Sequence, residues 1–173
     1  MPDLVEPSVP AGEVRFADSG DLDAMADLLH ELFTLESDFR PAREKQLTAL
    51  RWLLDHPAHG CLFVFVLADT GRVVGMANAL ISISTAEGGQ VLILEDIIIM
   101  AGHRGHGHGR RLVEQVLCWA ETEGFCRVTL LADKDNRDAL AFYQRLGFAE
   151  SAMVVRRFTI SASTSVPAGV DQG

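Results

Sequence analysis

The period with which apolar positions recur changes several times along the chain, and each change marks an element. Val14–Ala17 is a short strand candidate. Over Asp21–Leu35, residues Leu22, Met25, Ala26, Leu29, Leu32 and Phe33 return at three- and four-residue intervals and share one helix face. Asp18 or Ser19 stands ready to cap that helix. Pro41 suits the first turn of a second helix, Ala42–Leu54, which stops before His56-Pro57. Apolar runs at Cys61–Ala68, Val73–Ser84 and Val91–Met100 then read as strands, with Gly75 marking a bulge in the second. Asp69-Thr70-Gly71-Arg72 and Ala86-Glu87-Gly88-Gly89 are the turns between them. Helical spacing returns over Arg110–Gly124, where Leu112, Val116, Leu117 and Ala120 align. A strand over Arg127–Ala132, a helix over Arg137–Leu146 closed by Gly147, and a last strand at about Ala152–Ile160 complete the pattern.

The order β-α-α-β-β-β-α-β-α-β predicts one α/β (α+β) domain over residues 14–160, with tails at 1–13 and 161–173. Three consecutive strands joined by tight turns pair antiparallel. The later strand–helix–strand unit brings Arg127–Ala132 parallel to Val91–Met100. The result is a mixed, mostly antiparallel sheet with helices on both faces.

Composition narrows the partners. A net charge of −9 over 173 residues argues against nonspecific nucleic-acid binding and suits a cationic substrate such as an amine. No apolar run reaches membrane-spanning length, and Met1–Glu13 lacks the basic and apolar parts of a signal peptide. A cytoplasmic protein with no membrane partner is expected. Three cysteines, Cys61, Cys118 and Cys126, give neither a disulfide framework nor a zinc pattern, and read as buried reduced thiols.

The most informative stretch is Arg104-Gly105-His106-Gly107-His108-Gly109, between the third long strand and the helix after it. Glycines let backbone approach a ligand closely, and the first amides of a helix have no intrahelical acceptor. Together they make a site for phosphate. No Gly-Lys-Ser/Thr closes the loop as in a Walker motif, and the G-x-G-x-G spacing fits a dinucleotide fingerprint poorly.

The loop resembles the Arg/Gln-x-x-Gly-x-Gly/Ala pyrophosphate pattern of the GCN5-related N-acetyltransferase superfamily. Asn136 followed by Ala139-Leu140-Ala141-Phe142-Tyr143 and Gly147-Phe148 is similar to a second motif of that family, and Leu94-Glu95-Asp96-Ile97 to a third. The resemblance implies the acyl-CoA N-acyltransferase fold, acetyl-CoA as co-substrate, a small-molecule or protein primary amine as acceptor, and a possible homodimer. It implies pyrophosphate on the backbone of Arg104, Gly105, His106, Gly107, His108, Gly109 and Arg110. Pantetheine would pair with Ile97, Ile98 and Ile99 and reach Asn136. Tyr143, the single tyrosine, takes the role of acid toward the leaving thiolate.

An amine must lose its proton before it attacks, and a carboxylate can take it. Glu95 and Asp96 are neighbours in a strand and so should face opposite sides of the sheet, which leaves one to act; Glu95 is favoured by its place in the motif. His103, His106 and His108 are read as parts of the anion loop, not as metal ligands. Glu31, Glu36, Asp38 and Asp55 are acids near the acceptor side to which no role is assigned. A domain that holds an acyl-CoA without turnover is the rival reading.

Overall fold

In the computed structural model, which describes residues 11–36 and 38–160, the central strands form a sheet clad by helices on both faces. The elements are β1 (Gly12–Phe16), α1 (Leu22–Leu35), α2 (Arg43–Asp55), β2 (Gly60–Leu67), β3 (Val73–Ser84), β4 (Gly89–Ile99), α3 (His108–Thr122), β5 (Val128–Leu130) and α4 (Arg137–Arg145). Strand order is β1-β2-β3-β4-β5. The first four are antiparallel neighbours, and β5 joins β4 in parallel. The predicted topology therefore holds through α4.

Alternation along the strands separates two cores. On one face, Met25, Leu28 and Leu29 of α1 and Leu47 and Leu50 of α2 pack on Leu62, Val64, Met76 and Ile98. On the other, Leu112, Val113, Val116 and Ala120 of α3 pack on Phe63, Ala77, Ala79, Leu92 and Leu94. A one-turn 3-10 segment, Ser19–Asp21, leads into α1, and Asp18 and Asp21 cap it reciprocally. Asp21 is buried and receives two hydrogen bonds from Arg15, at 2.7 and 2.9 Å.

Several boundaries differ from the pattern's prediction, each for a physical reason. β1 begins at Gly12, where a short strand extends its pairing to Leu67. Pro41 lies outside α2, which is capped at Ala42 and starts at Arg43. The bulge predicted at Gly75 is displaced to its neighbour. Phe65 pairs with Gly75 and Val66 with Val73, which leaves Val74 as the extra residue. Gly75 itself is required by close approach, since a Cβ there would collide with the Ile99 side chain.

The largest difference is at the C-terminal end, because residues 152–160 form no strand. Met153-Val154-Val155-Arg156-Arg157-Phe158 has no two-residue alternation to bury one face. Arg157 of this segment lies against the α1–α2 connection, with Nη1 donating to Asp38 Oδ2 at 2.5 Å and the guanidinium 4.9 Å over the Phe39 ring. The cysteines are free, as predicted, but not buried. Cys118 is exposed on the solvent side of α3, Cys126 is exposed ahead of β5, and Cys61 is half-buried. Tail residues 1–10 and 161–173 lie outside the described residues. Among those described, no helix is long and apolar enough to cross a membrane.

Candidate active site

The glycine loop folds as a string of unpaired amides. Gly105 and Gly107 have φ of 80° and 79°, a left-handed conformation that side chains with a Cβ rarely adopt. Gly107 serves as the N-cap of α3, so the helix begins at His108, two residues before the predicted start at Arg110. The first helical bond runs from Arg111 N to Gly107 O at 3.1 Å. The amides from Gly105 through Arg110 donate to no acceptor among the described residues. They combine with the positive end of the α3 dipole into an anion site.

Arg104 braces this loop from behind. Its Nε donates to Ile99 O at 2.7 Å and its Nη2 to Glu31 Oε1 at 2.5 Å. Glu31 also accepts from Ala101 N at 3.0 Å, so it is engaged in holding the loop. Of the histidines, His106 is exposed, whereas His108 is 1% exposed with its ring 4.4 Å from that of Phe65. Burial pushes the His108 pKa down, which keeps the ring neutral at pH 7. Only its backbone amide faces the anion site.

β4 connects that loop to two carboxylates. Its pairing with β5 covers Leu92 to Leu94 and then stops, while β4 continues to Ile99. Beyond Leu94 the edge of β4 toward β5 is open, apart from the Ile99 carbonyl held by Arg104. On the β3 side, Asn78 pairs with Glu95 but Met76 pairs with Ile98, so Ala77 faces two residues, Asp96 and Ile97. This is a β-bulge, and Asp96 has φ 52° within it.

The bulge reverses the alternation. Before it, Leu92 and Leu94 point to the α3 core; after it, Ile97 and Ile99 do, and Ile98 points to the α1–α2 core. Asp96 lines a cavity with α1 and α2 residues, on the face that Glu95 already occupies by parity. The prediction that Glu95 and Asp96 face opposite sides is therefore corrected: one inserted residue places both on the same face. Burial and mutual repulsion raise the Glu95 pKa above the usual carboxylate range. Burial likewise raises that of Asp96, partly countered by Asn78 Nδ2, which donates to Asp96 Oδ2 at 3.2 Å.

Tyr143 sits on α4 with its ring 5.2 Å from that of Phe142 and 5.9 Å from that of Phe148. Burial, with the nearby charge of Glu36, pushes its pKa up to about 12. The phenol keeps its proton at neutral pH. Asn136 caps α4, its Oδ1 accepting from Ala139 N at 3.1 Å, which leaves its Nδ2 donors for another partner. Glu36 has its own pKa raised by burial and by Asp96, which places it in the field of the same site.

Two members of the site escaped the sequence reading. Asn78 is a lone amide in the apolar run Val73–Ile81, and Gln46 shares a helix face with Leu50. A polar residue at an apolar phase of the pattern was the available signal in both cases.

The acetyltransferase (GNAT) family model matches residues 22–148. The chain is 34% identical over 97 residues to an aminoglycoside N(6')-acetyltransferase type 1 from Acinetobacter genomosp. 13, a match covering 54% of this chain and 66% of that protein. It spans about half to two thirds of the length of the first curated relatives it matches. Among solved structures, a possible acetyltransferase from Clostridium difficile 630 has a TM-score of 0.78 at 19% identity, covering 87% of this chain and 98% of its own. The aminoglycoside N-acetyltransferase AAC(6')-Iy in complex with CoA has a TM-score of 0.73 at 20% identity, covering 90% and 99%. By the extent of the family match, and with a fold that agrees with these structures, the chain belongs to the acetyltransferase (GNAT) family.

Proposed function

We propose that this protein transfers an acetyl group from acetyl-CoA to a primary amine by direct attack, with both substrates bound together. One observation carries the reading: a single strand, β4, joins an open backbone edge to a loop of unpaired amides and bears two carboxylates on one face. The loop fits a pyrophosphate because Gly105 and Gly107 leave open space where a Cβ would stand. When bound, acetyl-CoA supplies the activated acyl group.

Each step has a residue to perform it. The amides from Gly105 through Arg110 take the pyrophosphate charge, and the open edge at Ile97 and the Ile99 amide offers hydrogen bonds to the amide-rich pantetheine, whereas Ile98 turns its backbone groups to Met76. Asn136 Nδ2, left free by its cap bond, adds another hydrogen bond. Glu95 takes the proton that the ammonium must shed, directly or through a water, and its raised pKa brings it closer to the operating pH. The amine nitrogen then bonds to the acyl carbon as the carbon–sulfur bond breaks. A strand amide meets the negative charge that builds on the acyl oxygen. Tyr143 donates its phenolic proton to the departing thiolate and regains one from the nitrogen, which sheds its second proton once it has bonded to the acyl carbon.

A thiol-release assay with acetyl-CoA against a panel of amines tests the proposal. Amine-dependent release supports it. Tight binding of acetyl-CoA with no release over the whole panel would make the protein a binding module instead.

A further inference from the structure

The glycine loop has few means of holding its own shape. Between the end of β4 and the start of α3 the chain passes through Gly102, Gly105 and Gly107, and a Cβ on any of the three would meet nothing within 4 Å. Glycines lose more freedom on being ordered than other residues do. The amides from Gly105 through Arg110, which donate to nothing among the described residues, do not offset that loss. Only a one-turn 3-10 segment, Ala101–His103, is regular within the stretch.

Among the described residues, one side chain from another element hydrogen-bonds to residues 101–107. Glu31, in the third turn of α1, accepts at a single oxygen, Oε1, from Ala101 N at 3.0 Å and from Arg104 Nη2 at 2.5 Å. Arg104 Nε in turn donates to Ile99 O at 2.7 Å. The last residue of β4, the first of the 3-10 turn and the residue ahead of Gly105 are thereby tied to one point. That point is fixed, because Leu28 and Leu29 bury the same helix in the sheet core.

The charge of Glu31 is at odds with its position. A carboxylate beside an anion site repels the anion, and this one also engages the Arg104 guanidinium, which would otherwise attract it. By charge alone Glu31 weakens a phosphate site. What offsets the repulsion is geometry.

We propose that Glu31 is a positioning residue for coenzyme A: through Ala101 and Arg104 it holds the glycine loop in its binding-competent shape before the cofactor arrives. A loop that is competent for only a fraction of the time binds in proportion to that fraction. Loss of the tie therefore weakens affinity although no contact to the ligand is removed. This inference rests on the acetyltransferase reading only for the identity of the ligand.

The test separates position from charge, by calorimetric titration of the full chain with CoA and by thermal unfolding of each variant. Glu31→Gln keeps an oxygen at the same reach and removes the charge. It should bind CoA within about three-fold of the parent, or more tightly. Glu31→Ala loses the tie and should bind about ten-fold more weakly. Glu31→Asp keeps the charge but withdraws its oxygens by one methylene, and should bind at least as weakly as Glu31→Ala. Arg104→Lys cannot bridge Ile99 O and Glu31 at once and should fall with them. The double variant of Glu31→Ala and Arg104→Lys should lose less than the product of the two effects, because both break one tie. Thiol release at sub-saturating acetyl-CoA should follow the same order. A merely structural glutamate would lower Tm and leave CoA affinity in the folded protein unchanged; a merely electrostatic one would tighten binding when removed. Glu31→Ala with parental or tighter affinity, or Glu31→Gln as weak as Glu31→Ala, would overturn the proposal. The expected order of affinities with no thiol release from the parent toward any amine would uphold the brace and overturn acetyltransfer. A parent that bound no CoA would overturn both.

Discussion

Gly107 and Gly71 form a matched pair that isolates what the loop backbone does for an anion. Both are left-handed, with φ of 79° and 65°, and a Cβ on either would meet nothing within 4 Å. Gly71 lies in the turn between β2 and β3, away from any proposed ligand. Gly107 borders the unpaired amides at the start of α3. Substitution by alanine should therefore destabilise the two variants alike, through backbone strain alone, by about 1–2 kcal/mol. At this chain length that lowers Tm by roughly 2–8 °C.

Ligand binding should separate them. The open space beside Gly107 is where a pyrophosphate approaches, and a methyl group there holds it off. Loss of one charge-assisted amide contact is worth about 1.5–3 kcal/mol, or roughly 10- to 150-fold in Kd. Thermal unfolding followed by calorimetric titration with CoA gives both quantities on the same samples. Gly71→Ala should bind CoA as the parent does, and Gly107→Ala should bind it at least about ten-fold more weakly. Equal CoA affinity in the two variants would refute the assignment of the loop.

Tyr143→Phe should leave acetyl-CoA affinity nearly unchanged and lower turnover by roughly ten- to ten-thousand-fold; unimpaired turnover in a steady-state assay would remove the phenol from the mechanism. Asp96→Asn should raise Tm at pH 7. The folded-state pKa of Asp96 is raised, so its contribution to stability is present below the unfolded pKa and lost as pH rises through the folded one. The advantage of asparagine should consequently fade below roughly pH 4, and an advantage independent of pH would contradict the burial argument. Arg15→Ala should destabilise by about 1–3 kcal/mol in denaturant unfolding, since it strands the buried Asp21 while the half-exposed arginine itself is screened. The Asp21 pKa is lowered by Arg15, so the stability it supplies holds above the unfolded pKa and is lost as pH falls through the folded value. The difference between parent and Arg15→Ala should therefore shrink in acid.

What could be read from the chain follows what is local in the physics. Alternate glycines ahead of Leu112, Val116 and Ala120 encode a loop and a helix start within one stretch, and both appear. The antiparallel order of β2, β3 and β4 follows from short turns at Gly71 and Gly88, which are left-handed as such turns need. Less local facts were hidden. An apolar run such as Leu92–Ile99 contains isoleucine or leucine on either side of Glu95-Asp96, so a slip of one residue changes no class of side chain at the flanks. Where the last strand was expected, Arg157 contacts Asp38, a residue far away in sequence. Cys118 is two positions from both Val116 and Ala120, which turns it to the opposite face of α3, and only the helix phase distinguishes it from them.

The bulge in β4 can itself be argued from competing costs. In a regular strand, Asp96 would follow Leu92 and Leu94 onto the α3 face and enter a core of leucine, valine and alanine. An ionised carboxylate there, with no partner, carries a penalty of several kcal/mol. A left-handed residue costs roughly 1–2 kcal/mol, and aspartate is among the few side chains that adopt it readily. The inserted residue is the cheaper solution, and it also carries the carboxylate to Asn78 and the cavity. Asp96→Val should invert this balance, because a β-branched side chain suffers most at positive φ and belongs in the core. Either the chain loses stability by more than Asp96→Asn can account for, or β4 regains a regular register. Amide hydrogen exchange distinguishes these from a bulge imposed by something else. In the parent, Asp96 and Ile97 lie between the paired residues Glu95 and Ile98 and should exchange fast, and in a re-registered strand Ile97 should gain protection from β3 while residue 96 still faces the open edge. A valine variant with parental Tm and the same exchange pattern would show that Asp96 is not what bends the strand.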